Sequence, residues 1–190
     1  MDMQQQALLD SSAVNKQREN IQDEKEFAYI FETYYKRIFN YIYYRVYCHH
    51  TAEDLTSQVF EKTMLKIGTY VPDKSPFEVW LFAIARNAVN DHFRSQKKHR
   101  FFSLDRVREL VSRKKDPEGI VIKGETSDSL LKAINTLEPR EKNMLALKFG
   151  GNLKNKEIAE ISDMTEGNVG IILYRTMKKL RNEMEREEKP

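Results

Sequence analysis

The sequence predicts an all-α protein of two small helical domains joined by a flexible linker, and three observations predict it. Apolar residues recur at three- and four-residue steps through long stretches on both sides of the middle, the period of amphipathic helices. Gly and Pro are sparse, at 7 and 5 in 190 residues, too few for the tight turns of an all-β chain. Between about Ser103 and Glu125 large apolar residues thin out and Pro117, Gly119 and Gly124 interrupt the chain, as in an interdomain linker. With 40% hydrophobic, 11% aromatic and 32% charged residues, the balance suits helical globular domains rather than disorder, although neither half buries a large core.

Residues 1–22 are polar, rich in Gln, Ser and Asn and without a sustained period, so they read as a disordered leader. A first domain over 23–100 follows. Phe27, Ile30, Phe31, Tyr34, Ile38, Phe39, Ile42 and Val46 mark one amphipathic helix. Thr51 is a candidate cap for a second, with Leu55, Val59, Phe60, Thr63, Met64 and Ile67 on one side. Gly68, Pro72 and Asp73 make the next segment a loop. Ser75 as N-cap, Pro76 at the first helical position and Glu78 closing a capping box predict the start of a third helix. Its apolar stripe is Phe77, Trp80, Leu81, Ile84, Ala88 and Val89; its other face carries Arg86, Asn87, Asn90 and Arg94 and runs into the basic stretch Gln96 to Arg100.

After a linker over 101–125, the second domain covers 126–186. Leu130, Leu131, Ile134 and Leu137 predict a short helix, and Pro139 opens another that Gly150 and Gly151 stop. Asn155 is a candidate cap for a helix over Lys156 to Ile161, Ser162 to Met164 form a tight connection, and Thr165 caps a final helix of about twenty residues. Its inner stripe is Val169, Ile172 or Leu173, Thr176, Leu180 and Met184.

The formal net charge of +3 says little about partners, but its distribution says more. From Arg86 to Lys115 ten Lys or Arg face three acidic residues, whereas residues 1–26 carry six acidic and three basic ones. A polyanion would meet the middle of the chain first. The single cysteine, Cys48, cannot form an intrachain disulfide, so a reducing cytoplasm is the expected compartment. There is no signal-peptide core and no membrane-length apolar run. Cys48, His49, His50 and Glu53 suggest a metal site only weakly, because adjacent helical residues diverge and no second ligand pair follows at metal-site spacing. No phosphate loop, nucleophile elbow or HExxH motif is present, so no enzyme activity and no cofactor is expected.

Two features point to nucleic acid. The last two helices have the layout of a helix-turn-helix, with Gly167, Asn168, Gly170, Ile171, Tyr174, Arg175 and Lys178 on the face opposite the inner stripe. Amide, phenol and cationic groups there suit base edges and phosphates, although such hairpins also serve plain packing. The third helix with its basic tail suits single-stranded nucleic acid, since amides pair with bases while cations track phosphates. Trp80 and Phe77 are expected in the core; a solvated face explains Asn87 and Asn90 as well as base contact does.

The segment FAYIFETYYKRIFNYIYYRVYCHHTAEDLTSQVFEKTMLKI resembles regions 2.1 and 2.2 of the extracytoplasmic-function sigma factors, and SPFEVWLFAIARNAVNDHFRSQKK resembles regions 2.3 and 2.4. LEPREKNMLALKFGGNLKNKEIAEISDMTEGNVGIILYRTMKKL is similar to region 4. Together these cover most of residues 27–182 in the family's order and spacing.

The resemblance implies a subunit of RNA polymerase that selects promoters, with the two domains as sigma regions 2 and 4. It implies core RNA polymerase as partner, through the clamp helices of its β′ subunit and the β flap, and promoter DNA. Asp54, Gln58, Phe60 and Glu61 lie where the family docks the clamp helices. The loop from Ile67 to Lys74, with Tyr70, Val71, Asp73 and Lys74, corresponds to the one that captures a flipped base of the minus-10 element. Asn87 matches the asparagine that helps read that element, beside Arg86, Asn90, Arg94, Lys97 and Lys98. Thr165, Glu166, Asn168, Gly170, Ile171, Tyr174, Arg175 and Lys178 correspond to the minus-35 reader; many relatives carry Lys or Arg at the positions of Gly170 and Ile172, which implies a weaker or differently specified minus-35 contact here. An anti-sigma factor, often membrane-bound, is the implied inhibitor. The alternative reading is a conventional helix-turn-helix regulator acting without polymerase.

Overall fold

The computed structural model describes residues 3–103, 130 and 133–187, with side chains over 24–98, 130 and 133–186. Among them there are helices and turns but no strand. The chain divides into two units, Met1–Lys36 and Arg37–Pro190.

The first unit is the forward part of α1, which spans Met3–Val46. The leader expected to be disordered therefore lies in helix. No Gly or Pro occurs before Gly68, and the Gln, Ala, Leu, Lys and Glu residues there are good helix formers that give α1 no reason to stop. Ile30 is buried, while Tyr29 and Phe31 are 68% and 40% exposed. Phe31 and Tyr35 meet one turn apart with ring centroids at 4.9 Å and planes tilted by 38°.

The second unit holds the rest. Tyr47 adopts a left-handed φ of 53° and turns the chain into α2, His49–Lys66. This helix starts two residues before the expected Thr51: Cys48 is its extended N-cap, without a side-chain bond, and Ala52 N–H donates to Cys48 O at 2.9 Å. Thr51 thus lies inside the first turn. A 3₁₀ turn, Ile67–Thr69, closes α2. α3 spans Phe77–Ser103, and its first turn also differs from expectation. Trp80 N–H donates to Pro76 O at 3.2 Å, while the Glu78 carboxylate reaches Arg37 at 2.7 Å instead of turning back to Ser75. A guanidinium, which binds both carboxylate oxygens, is the stronger partner.

Leu81, Phe82, Ala85, Ala88 and Val89 form the inner stripe of α3 and are buried, as are Leu55, Val59 and Phe60 of α2 and Ile38, Tyr41 and Ile42 of α1; α3 packs against α2, and the Phe82 ring meets that of Tyr41 edge-on at 5.8 Å. Phe77 and Trp80, expected in the core, are only half-buried: they join Tyr70 in an aromatic cluster at 5.3 to 5.5 Å. Thr56 and Thr63 are buried but satisfied, each hydroxyl donating to the carbonyl four residues back.

The linker expected over 101–125 begins inside α3, which runs on to Ser103; its remainder, 104–125, and the first residues of the second domain lie outside the described residues. Ala133 and Leu137 pack with Leu180, flanked by Ile134, Leu145 and Met184. α4, Pro139–Leu145, opens as expected at Pro139, and the Glu138 N–H donates to Glu141 at 2.8 Å. It continues as a π-helical turn, Ala146–Gly150. α5, Asn155–Ser162, has Lys154 and not Asn155 at its N-cap, with the Lys154 N–H donating to Glu157 at 2.7 Å. Asp163, at φ 53°, ends it in the left-handed region that Asp tolerates better than most residues. Thr165 caps α6, Glu166–Glu187, as expected: its hydroxyl accepts from Asn168 N–H at 3.3 Å. α4 and α5 pack against α6, and α5 also packs against α3.

Burial pushes the phenols of Tyr41 and Tyr47 from the ordinary 10 up to about 12, against the opposing pull of the nearby Arg45 charge. The unfolded chain releases these protons near 10, while the folded chain retains them to about 12. What the two phenols contribute to stability is therefore fully present below pH 10 and is lost as pH rises from 10 to 12. Urea midpoints across that range are expected to drop steeply for the wild type and less steeply for Tyr41→Phe/Tyr47→Phe; equal slopes would remove the phenols as the cause.

Candidate nucleic-acid and polymerase surfaces

Three surfaces collect the residues that the sequence singles out. The first is the outer face of α2. Successive helical residues turn by about 100°, so Asp54, Gln58 and Glu61 fall on one stripe, and all three are exposed. Phe60 does not join them. It is 3% exposed and belongs to the core, because it lies about 100° from Glu61's side of the helix, beside Thr56, Val59 and Thr63. Leu65, four residues beyond Glu61 on the same stripe, is 78% exposed. Sequence reasoning missed it, although the four-three-four spacing from Asp54 carried the signal. An acidic stripe ending in a bare leucine suits a helix that offers cations and an apolar contact.

The second surface is a groove between α2 and α3, lined by Lys62, Lys66, Ile84, Asn87, Asn90, Asp91 and Arg94. Asn87 is exposed and Asn90 half-buried, and Lys98 extends the face of Asn87 three turns further on. Arg94 pairs with Asp91 at 2.9 Å, both well exposed, an interaction weak enough for a phosphate to replace. Lys62 and Lys66 were not anticipated: one turn apart on α2, they supply cations across the groove from the two asparagines.

Not every expected member reaches this groove. The Arg86 guanidinium turns to the side and donates to Ile161 O of α5 at 3.1 Å, since its position is about 100° off the Asn87 face. Lys97 is exposed but shares Arg86's side of α3 rather than that of Asn87. In the loop, Tyr70 is anchored: its hydroxyl donates to Ser75 O at 3.1 Å, and its ring packs on Phe77 and Trp80. Lys74 N–H donates to Val71 O at 3.0 Å, closing a turn with Pro72 at its second position. Val71, Asp73 and Lys74 are exposed at the tip. The half-buried aromatic cluster thus holds the loop's base and leaves the tip open.

The third surface is α6. Val169, Leu173, Thr176 and Leu180 are buried, which turns Asn168, Ile171, Tyr174, Arg175 and Lys178 outward on one face, with Ile171 50% and Tyr174 71% exposed. Thr165 is occupied as the cap, Glu166 is exposed in the first turn, and Gly170 lies half-buried on the flank. A Cβ at Gly170 would have Asn155 Nδ2 as its nearest neighbour, at 3.9 Å, so the backbone does not require glycine there. α5, the left-handed Asp163 and α6 have the geometry of a helix-turn-helix.

Among the described residues no three His, Cys, Asp or Glu side chains are grouped to hold a metal ion. His49 instead packs edge-on against Phe39 at 5.2 Å and lies 3.3 Å from Glu53. No described helix is long and apolar enough to cross a membrane.

Residues 30–99 match the family model for sigma-70 region 2, and residues 127–180 match that for sigma-70 region 4. The extracytoplasmic-function RNA polymerase sigma factor BldN of Streptomyces coelicolor is 32% identical over 81% of this chain, which spans 58% of BldN. The RNA polymerase sigma factor YlaC of Bacillus subtilis is 27% identical, over 89% of this chain and 94% of YlaC. In fold, the chain is similar to the sigma factor RpoE in its complex with the anti-sigma factor NepR from Bartonella quintana, at a TM-score of 0.69, 19% identity and coverage of 85% and 98% of the two chains.

Phe60→Ala is expected to cost about 3–5 kcal/mol of folding stability as a core truncation, whereas Glu61→Ala changes it by no more than about 0.5 kcal/mol. Chemical denaturation measures both, and a mild effect at Phe60 would return that ring to the surface.

Proposed function

Because the chain belongs to the extracytoplasmic-function group of the sigma-70 family, we propose that it binds core RNA polymerase and directs it to a specific set of promoters, without catalytic residues of its own. The observation that carries the residue-level reading is the groove between α2 and α3, where two asparagine amides are flanked by Lys62, Lys66 and Arg94. Amides in a cationic groove fit an unpaired DNA strand, since base edges need donors and acceptors and the backbone needs positive charge. The exposed tip at Val71, Asp73 and Lys74 is the proposed site for a base turned out of the stack. Unstacking takes a few kcal/mol per base, and these contacts offset it without nucleotide hydrolysis.

Asp54, Gln58, Glu61 and Leu65 are the proposed docking stripe for the clamp helices of the β′ subunit. The outward face of α6 is the proposed reader of the minus-35 duplex, with Asn168 and Arg175 at base edges and Lys178 at phosphate. Each reader alone is small; tethering both to one polymerase raises their effective concentration and makes the pair specific. The proposed setting is the cytoplasm. An anti-sigma factor is the proposed inhibitor, a reading supported by the family and by the NepR complex of the structural relative.

Reconstitution with core polymerase is expected to give start sites that share two spaced sequence elements, with Asn87→Ala and Tyr174→Ala each weakening initiation while leaving polymerase association intact. Tight, specific footprints by the chain alone would instead identify a conventional regulator. Replacing Lys62 and Lys66 by alanine is expected to flatten the log–log salt dependence of open-complex formation by about 0.7 for each phosphate that is no longer neutralised. An unchanged salt slope would take both lysines out of the interface.

A further inference from the structure

We propose that Ile171 reads the C5-methyl group of a thymine in the duplex that α6 enters, so that the upstream element is recognised in part through a methyl group and not by hydrogen bonds alone. The inference deepens the minus-35 reading above and rests on it. Val169, Leu173, Thr176 and Leu180 are buried, and steps of about 100° place Ile171 and Lys178 within about 10° of the direction opposite them. The centre of the outward face is therefore an isoleucine, 50% exposed.

Its surroundings say what it meets. Asn168 to Arg181 holds four cations and no carboxylate. Lys179 is answered by Glu141 at 3.0 Å, which leaves Arg175, Lys178 and Arg181 exposed around the apolar centre. Phosphates flank a major groove on both sides, so duplex DNA satisfies the rim while it receives the centre.

Inside that groove the base edges offer donors, acceptors and one apolar group, the thymine methyl. Isoleucine has neither donor nor acceptor. Over the amine of cytosine or the acceptors of guanine it would strip water from a polar group and return no hydrogen bond. Over a thymine methyl it buries apolar surface on both partners. Asn168 and Arg175, three residues before and four after, supply the hydrogen-bonding readers for neighbouring base pairs.

An isoleucine side chain is short, so the helix has to lie deep for this contact to form. Four residues before it on the same face is the exposed Gly167, where a Cβ would meet nothing within 4 Å. The fold gains nothing from glycine there, and in a helix interior glycine is worse than every residue but proline. What the missing side chain provides is clearance for the backbone to approach an outside surface.

The test uses holoenzyme formed from the full-length chain and core polymerase, on a promoter located by mapping its start site. Each thymine of the minus-35 element, on either strand, is replaced singly by deoxyuridine, which removes the methyl group and keeps every hydrogen-bonding edge. The wild type is expected to lose about fourfold in promoter affinity at one position, the worth of burying one carbon of apolar surface. Ile171→Ala is expected to bind the unmodified promoter more weakly by at least about as much, and to lose nothing further with deoxyuridine at that position. Gly167→Ala is expected to raise the chemical-denaturation midpoint yet weaken promoter binding, opposite signs that a purely structural glycine would not give. A methyl effect undiminished in Ile171→Ala, an element in which no deoxyuridine weakens binding, or unchanged affinity in Gly167→Ala would overturn the proposal. Holoenzyme that in every form prefers no promoter over random DNA would instead sink the sigma-factor reading itself.

Discussion

The larger unit hangs on the three-way division of α3. With about 100° between neighbours, five residues from Leu81 to Val89 fill the core. Arg86 and Phe93 look to one flank, where they meet Ile161 O and the Arg45 guanidinium. Asn87, Asp91, Arg94 and Lys98 remain on the open side. Any change in the helix's rotation would move a core residue into water and the exposed Asn87 amide toward the core together. The packing that stabilises α3 is therefore also what aims it.

The cations of this flank are in unlike environments. Arg37 is partly exposed and bidentate with Glu78, so its charge is answered and its bond to Gly151 is geometrically determined. Arg45 is buried among a neutral carbonyl and an aromatic ring, and burial lowers the affinity of its guanidinium for the proton. Ordered donors with one poorly compensated charge give specificity of approach without great depth of binding.

Much of this was legible in the chain itself. Strong three- and four-residue periodicity located α2, α3 and α6, and Thr165 announced its helix because a threonine ahead of an apolar stripe caps locally. The failures share one cause: they depended on partners far away in sequence or on the angle at which a helix settles. Glu78 fits a capping box until Arg37 arrives from α1. Arg86 reads as a groove residue until α5 supplies a carbonyl. Phe60 stands within a motif whose other members are exposed, yet its angle around α2 places it inside. Thr51 had the chemistry of a cap, but the left-handed Tyr47 reversed the chain before it. Lys62 and Lys66 look like any solvated pair until α3 is laid beside them.

The π-helical turn Ala146–Gly150 has a bearing on which sequence changes this region accommodates. Its N–H from Gly151 reaches back five residues to Ala146 O at 2.9 Å, so one residue more than an α-helix would need is looped into the wall of the helix. A surplus accommodated in this way leaves the direction of the chain nearly as an α-helix one residue shorter would have it. Substitutions at the exposed Phe149 keep the count and leave that direction alone. Deleting one position would let the segment close into ordinary α-helix with its exit toward α5 nearly kept, whereas deleting one from the regular turns of α4 would rotate everything downstream by about 100°. The stretch therefore holds one residue of slack that its neighbours lack.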